Sequence, residues 1–364
     1  MMRTQRGHAA KGWAVTGPAA EAHRALLRAY FGPAATGLPP NEVTPDQVEQ
    51  LASNKYTVLP YNGSTTDLPA TLDPAVRERI QQQQQRHGAW LEMVTQVVPI
   101  LDQIKPGYVL MKALESPFAP MSDIDFLIPQ PDDIVRSVTA LAQEGFEFYR
   151  FRLWAHPLKI MAVPAGQSVK APAAVDFYPD AMWIRKHVLD GVGVIARRQR
   201  TSVRGVEVYT PVVEDDFYLV VTHALARGDI MLGELDHGAR LLAHSGFDWD
   251  RVLRAARAFG CLDNIYVYLR LLQMVCQALD RAAPIPVQLW AELERYAINR
   301  QWRGWLDRVE PNVIFPLRFP LRLGTIQSGA YHLPAVRARL RPGEWVFDAI
   351  THGHLIVTHL LRRD

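Results

Sequence analysis

Two acidic residues placed inside an apolar run limit what this chain can fold into more than any other feature. The run is MSDIDFLIP, Met121 to Pro129. In a strand, residues i and i+2 point to the same face, so Asp123 and Asp125 stand side by side while Ile124 turns into a core. Like charges at that spacing repel, and the arrangement is stable only with something cationic between them. A bland alternative has Asp123 capping a turn and Asp125 pairing with an arginine. About fifty residues on, AAVDFYP places Asp176 between Val175 and Phe177 in a second apolar run. If the two strands are neighbours, Asp123, Asp125 and Asp176 converge.

The surrounding pattern sets these strands in an α+β frame, a small mixed β-sheet flanked by N-terminal helices and a C-terminal helical domain. The expected units are an N-terminal helical region over 1–104, with 1–20 a flexible lead, a sheet core over 105–210, and a helical domain over 211–364. Near the start, AAEAHRALLRAYFG reads as a helix stopped at Gly32, and PAATGLPPNEV as a linker. Thr44, with Pro45 after it and Gln47 three residues on, predicts a capped helix start. Pro74 to Ile104 is strongly helical in pattern. YVLMKAL, IDFLIP, FEFYRFRLWA, HPLKIMAVPA and AAVDFYP read as strands, with PDDIVRSVTALAQEG a capped amphipathic helix between the second and third. GVGVIARR and VEVYTP read as a short strand pair. From Val213 the pattern is helical, with Gly228, Gly246 and Gly260 as stops.

Three carboxylates at one place suit a hard divalent cation, Mg2+ or Mn2+, which takes few protein carboxylates and completes its shell with water and phosphate oxygens. In that chemistry Asp123, Asp125 and Asp176 are both metal ligands and catalytic residues. With two ions, one activates the attacking oxygen and the other steadies a leaving pyrophosphate. Asp176 is then the carboxylate nearest the incoming hydroxyl.

KALESPFAPMSDIDFLIP, followed by a helix, a hairpin and AVDFYP, resembles the sheet of the nucleotidyltransferase superfamily, the DNA polymerase beta-like fold. More narrowly, the chain resembles the uncharacterised bacterial nucleotidyltransferase family that carries a KG…SDIDLLV stretch. LASNKYTVLPY and EDDFYLVVTHALARG…LGELDHGARLLAHSGFDWDRV are similar to that family's flanking segments, so the resemblance covers roughly residues 40–320. It implies transfer of a nucleoside monophosphate from an NTP to an acceptor that is a small molecule, a peptide, a protein or an RNA end. Where the superfamily has Gly-Ser, this chain has Lys112–Ala113. Lys112 aligns with the narrower family's lysine, and is expected either to meet a phosphate or to snorkel at a strand end. The family's arginine before SDID is replaced by Ala119–Pro120. Ser116 and Ser122 are candidate hydroxyl donors to phosphate, Ser122 equally a turn residue.

Other candidates carry bland readings beside the functional ones. His156 and Lys159 contact phosphate or acceptor if their strand lies beside the Asp125 strand, and are otherwise surface side chains. His223 reads as a hydrogen-bonded interdomain histidine. Asp236 and His237 read as cap or packing residues that could line a cleft. His223, His237 and His244 have no zinc-ligand spacing, so no zinc site is expected. Cys261 and Cys276 are expected to be reduced core thiols. With 364 residues, 48% apolar and 21% charged, the chain can bury a core, and a net charge of +3 is too small to imply nucleic acid. No apolar run reaches membrane-helix length, and the opening MMRTQRGHAAKGWAVTG lacks a signal peptide's apolar stretch, so cytoplasmic residence is expected. The C-terminal AVRARLRPGEWVFDAITHGHLIVTHLLRRD reads as a docked terminal helix or a membrane-surface helix. Two rivals stand beside nucleotidyl transfer. One is a DxD glycosyltransferase, which usually needs a βαβ half ahead of the DxD. The other is a degenerate nucleotidyltransferase fold kept for binding or regulation.

Overall fold

The structure, a computed structural model, describes residues 18–32, 34–60, 68–112, 118, 124–151, 159–167, 174–183, 186–203, 205–226, 229–296, 300–306 and 317–318. Nearly all of the expected flexible lead and the whole C-terminal stretch from 335 lie outside these residues.

Helix α1 (Pro18–Tyr30) ends just before Gly32, whose φ of +92° suits glycine. Helix α2 (Pro45–Ser53) starts as its sequence predicts. Gln47 N–H donates to Thr44 Oγ1 (3.3 Å) and Thr44 N–H donates to Gln47 Oε1 (2.9 Å). Helix α3 (Pro74–Ile104) is capped by Asp73, which accepts from the N–H groups of Ala75 and Val76. It serves two cores. Val76 and Ile80 pack with the N- and C-terminal helices, whereas Trp90, Val94, Val97 and Leu101 pack under the sheet.

The sheet is built from β1 (Val109–Met111), β2 (Ile124–Leu127), then, after helix α4 (Pro131–Gln143), β3 (Phe146–Phe151), β4 (Lys159–Pro164) and β5 (Val175–Tyr178). Helix α4 starts at Pro131 without the side-chain cap its sequence suggested. The strand order is β1-β2-β5-β4-β3; β2 and β5 are parallel and the other pairs antiparallel. Alternation along the strands separates two faces. Leu110, Ile124, Phe126, Val175 and Phe177 bury against the second half of α3 and against Ile134 and Leu141 of α4. Val109, Met111, Leu127 and Tyr178 point the other way, into a core shared with the helical half. The fold is therefore α+β with a five-stranded mixed sheet.

A two-residue ladder follows, β6 (Met182–Trp183) with β7 (Lys186–His187). GVGVIARR, expected as a strand, is instead helix α5 (Gly191–Arg197). Its Gly-Val alternation imitates a strand's period of two, but burial follows the helix, with Gly191 and Val194 inside and Val192 exposed. Gly191 lies so close to Pro129 and Asp180 that a Cβ would sit 3.2 and 3.1 Å from them. The strand pair is β8 (Gln199–Val203) with β9 (Val206–Thr210).

The helical half comprises α6 (Val213–Ala226), α7 (Leu232–Leu242), α8 (Trp249–Ala258), α9 (Leu262–Ala278), α10 (Val287–Arg295) and α11 (Arg300–Leu306). A short ladder joins β10 (Asp229–Ile230), between α6 and α7, to β11 (Leu317–Arg318), a pairing the helical pattern did not show. Gly246 and Gly260 follow α7 and α8 with φ of +83° and +64°. Almost every residue of α7 is buried, which marks it as a core helix. Its polar side chains reach out to other elements. Glu234 pairs with Lys55 (2.9 Å), and Asp236 accepts from Gly32 N–H (2.7 Å) and Arg240 Nε–H (3.1 Å). Two glycines admit its neighbours. A Cβ on Gly233 would lie 2.7 Å from the Lys55 carbonyl oxygen, and one on Gly238 would lie 2.0 Å from Tyr268 Oη. Leu26, Tyr30, Val48 and Leu51 consequently share one apolar cluster with Leu235, Tyr268 and Leu272. Both cysteines are buried free thiols, and burial pushes the Cys276 thiol up to about 11. No helix among the described residues is long and apolar enough to cross a membrane.

Five of the 12 tyrosines hold their phenols neutral because burial disfavours the charged form. Tyr30 is pushed up to about 12, Tyr56, Tyr218 and Tyr268 well above the ordinary value, and Tyr108 is raised by burial and by its hydrogen bond to Asp102. In the unfolded chain these phenols titrate near about pH 10. Their neutral forms therefore contribute stability that is complete below that pH and is lost as pH rises through the folded values. Tyrosinate absorbance should accordingly show one graded fraction near pH 10 and a second, steep fraction that coincides with loss of helical circular dichroism. A single graded titration in a still-folded protein would contradict this.

Candidate functional site

Asp125 of β2 and Asp176 of β5 are register partners on adjacent parallel strands. Neighbouring strands run ~4.8 Å apart, so the two carboxylates stand side by side on one face. That face is the one turned to the helical half. Met111 lies beyond Asp125 in the same row, across β1, and Met161 lies beyond Asp176, across β4. The residues are only 7% and 2% exposed, so the pair is a polar island in an apolar row. Two ionised carboxylates this close and this dry require a cation.

Among the described residues the cation is Lys112. Its Nζ lies 2.5 Å from Asp125 Oδ2, and the two side chains are 13% and 9% exposed. The ammonium also faces the rings of Trp183, 4.8 Å from the centroid, and Tyr178, 5.7 Å away. Lys112 follows β1 directly, with φ at +54°, a region that residues with a Cβ seldom occupy. Asp216 holds that turn, accepting the Lys112 N–H at Oδ1 (3.2 Å), while His237 Nε2 sits 3.2 Å from Asp216 Oδ2. Trp183 is fixed by its Nε1–H, which donates to Thr222 Oγ1 (3.0 Å), and by an edge contact with the His223 ring. The site thus draws on β1, β2, β5, β6, α6 and α7.

The first turn of α6 carries three consecutive acids, Glu214, Asp215 and Asp216, all buried. Their charges favour a helix N-terminus, and each has its own partner. Glu214 accepts from Asp248 N–H (3.0 Å) and pairs with Arg251 (3.3 Å). Asp215 takes Nε–H and an Nη2–H of Arg197 on one oxygen (3.1 and 2.9 Å). Burial raises the Asp215 carboxyl above the usual carboxylate range despite that arginine.

The sequence-predicted residues divide as follows. Asp125 and Asp176 come together. Asp123, Ser116, Ser122 and His156 lie outside the described residues. Lys159 opens β4, which β5 separates from β2, so its strand does not lie beside the Asp125 strand. Lys159 is two residues along β4 from Met161, the residue level with Asp176. Lys112 meets a carboxylate, a placement its sequence reading had not weighed. His223 packs on Trp183, His237 is buried on Asp216, Asp236 anchors the end of α1, and His244 is exposed. Sequence reasoning missed Asp216, Trp183 and Tyr178. VEDDFYLVV did carry a signal for Asp216, because three acids abut an apolar run too continuous for a helix with a solvated face.

For a divalent cation the donor set fits in kind, since two adjacent carboxylates on rigid strands are what Mg2+ or Mn2+ takes from a protein. Oδ2 of Asp125 is the point of competition, because Lys112 holds it. The described residues include no group of three or more His, Cys, Asp or Glu suited to a metal ion. No protein-family model matches this sequence, and no curated protein matches it either.

Asp216 joins a backbone donor and a buried imidazole, so removing it takes a buried partner from each. Asp216→Ala should destabilise the fold by ~2–4 kcal/mol in urea unfolding. Asp248→Ala, at the partly exposed cap of α8, should lose only ~1 kcal/mol. Equal losses would show that the Lys112–Asp216–His237 chain carries no special weight.

Proposed function

We propose that this chain is a nucleotidyltransferase with a DNA polymerase beta-like core, moving a nucleoside monophosphate from an NTP to a hydroxyl or other nucleophile on an acceptor. The observation that carries this reading is the register of Asp125 with Asp176 on adjacent parallel strands, facing the helical half. The motif order that resembles the superfamily supports it. Asp125 and Asp176, with Asp123 by the resemblance, would hold Mg2+ or Mn2+. Bound there, the ion would offset polyphosphate charge and ease departure of pyrophosphate.

The chain's own groups supply the rest. Lys112 brings a positive charge on a flexible stem to the phosphates. Asp176, on the strand farther from Lys112, takes the proton as the acceptor oxygen bonds to the α-phosphorus and the α–β phosphoanhydride bond breaks. Tyr178 and Trp183 form an apolar wall that lowers the local dielectric and strengthens every charge contact. The acceptor is positioned between the sheet face and the helical half, and in-line placement supplies most of the rate.

The Lys112–Asp125 ion pair favours a second reading, a nucleotidyltransferase fold kept for binding or regulation, in which the ammonium permanently replaces the metal. Thermal unfolding with each NTP, with and without Mg2+ or Mn2+, separates the two. At ligand about 100 times Kd, native-state binding adds ~2.7 kcal/mol of stability. The transferase reading expects that gain only with metal and NTP together, its loss in Asp176→Asn, and transfer of label from NTP to a molecule in a cell extract. A metal-independent gain without label transfer favours the binding protein. A gain with nucleotide sugars alone points to the glycosyltransferase.

A further inference from the structure

Lys112 is held from two directions while its side chain stays free to pivot. Its backbone is fixed in a left-handed turn by Asp216, which His237 braces. Its ammonium ends on Asp125 Oδ2, beside the Trp183 and Tyr178 rings. The four carbons between these points are rotatable. The ammonium can therefore leave Asp125 without disturbing the turn. It cannot stay there beside a divalent cation, because an ion ligated by the same oxygen at ~2.1 Å would stand within a few ångströms of Nζ. Two cations that close repel strongly in a site this poorly solvated.

Resting on the reading of Asp125 and Asp176 as cation ligands, we infer that Lys112 is the internal counter-ion of the carboxylate pair and gates cation entry. A divalent cation binds well only when a polyphosphate anion arrives with it, because the displaced ammonium then gains a new partner. Cation and anion binding are therefore coupled through Lys112, and by linkage each raises the other's affinity by the same factor. In the absence of both, the Lys112 ammonium offsets the charge of Asp125 without metal.

The test uses the full chain, Mn2+ and inorganic tripolyphosphate, with water-proton relaxation enhancement to detect Mn2+ held by protein apart from Mn2+ held by the small chelator. In the wild type, Mn2+ should bind at least about tenfold more tightly with tripolyphosphate than alone. In Lys112→Met, Mn2+ alone should bind about tenfold more tightly than in the wild type, and most of the gain from tripolyphosphate should vanish. Lys112→Gln is a second variant should the first not fold, and the wild-type contrast stands without either. The inference is overturned if wild-type protein binds Mn2+ equally well with and without tripolyphosphate, if folded Lys112 variants bind Mn2+ no better than wild type, or if no protein-held Mn2+ appears in any arm. Tripolyphosphate carries no nucleoside. Coupling without NTP label transfer therefore sinks the transferase reading and keeps this inference, and label transfer without coupling does the reverse.

Discussion

Burying two like charges side by side is the constraint around which the sheet and its surroundings are arranged. Asp125 and Asp176 sit on interior strands, in a row that runs from Met111 through Met161 to Tyr149, so neither carboxylate lies on an edge strand where solvent would relieve their repulsion. The relief comes from Lys112, and placing Lys112 requires a turn that its Cβ disfavours. That turn requires Asp216, Asp216 needs a donor from within the helical half, and His237 stands there. Asp125, Asp176, Asp216 and His237 are buried and Lys112 is nearly so, and each would be unfavourable alone. The chain of partners explains why a helix as fully buried as α7 carries charged and polar residues at all.

Helix α7 extends the same logic to the N-terminal segment. Glu234, Asp236 and His237 are adjacent or nearly so, yet they reach Lys55, Gly32 and Asp216 on three different elements. A helix turns about 100° per residue, so neighbouring side chains fan out around it. This fan allows a single buried helix to fix the N-terminal helices and α6, and through α6 the Lys112 turn. Gly233 and Gly238 make it possible by letting the Lys55 backbone and the Tyr268 phenol approach the helix directly. The wall opposite the carboxylates is therefore tied together by buried polar contacts as well as by apolar packing.

What was legible in the sequence was local. The Thr44–Gln47 capping box, the span of α3, and the strands holding Asp125 and Asp176 all follow from residues within a turn or two of each other. The misread segment, α5, was misread for a tertiary reason. Its Gly-Val alternation fits a strand, and only the press of Gly191 on Pro129 and Asp180, together with the Arg197–Asp215 pair, selects the helix. Of the site, the pairing of Asp125 with Asp176 could be anticipated because both needed a reason to sit in apolar runs. The identity of their cation could not, because nothing in KAL distinguishes a lysine that snorkels from one that folds back over the neighbouring strand. Asp216 was signalled only by the continuous apolar run after it, since acids in a first helical turn are ordinarily solvated caps. Here α5, α7 and α8 each contribute a group that meets one of the three.

The backbone at Lys112 connects these points to the departure of this chain from the pattern it resembles. A φ of +54° is a conformation glycine adopts without strain, and the superfamily pattern has a glycine at this point. The local path of the chain is thus of the glycine type, while the side chain is the longest cation with a compact charge that could be placed there. A glycine would leave the turn relaxed and Asp125 without the Lys112 ammonium. Lysine strains the turn and sets one positive charge against Asp125, and Asp216 offsets the strain through the same N–H that the left-handed turn presents to the helical half. The positive charge against Asp125 therefore belongs to a side chain that is always present.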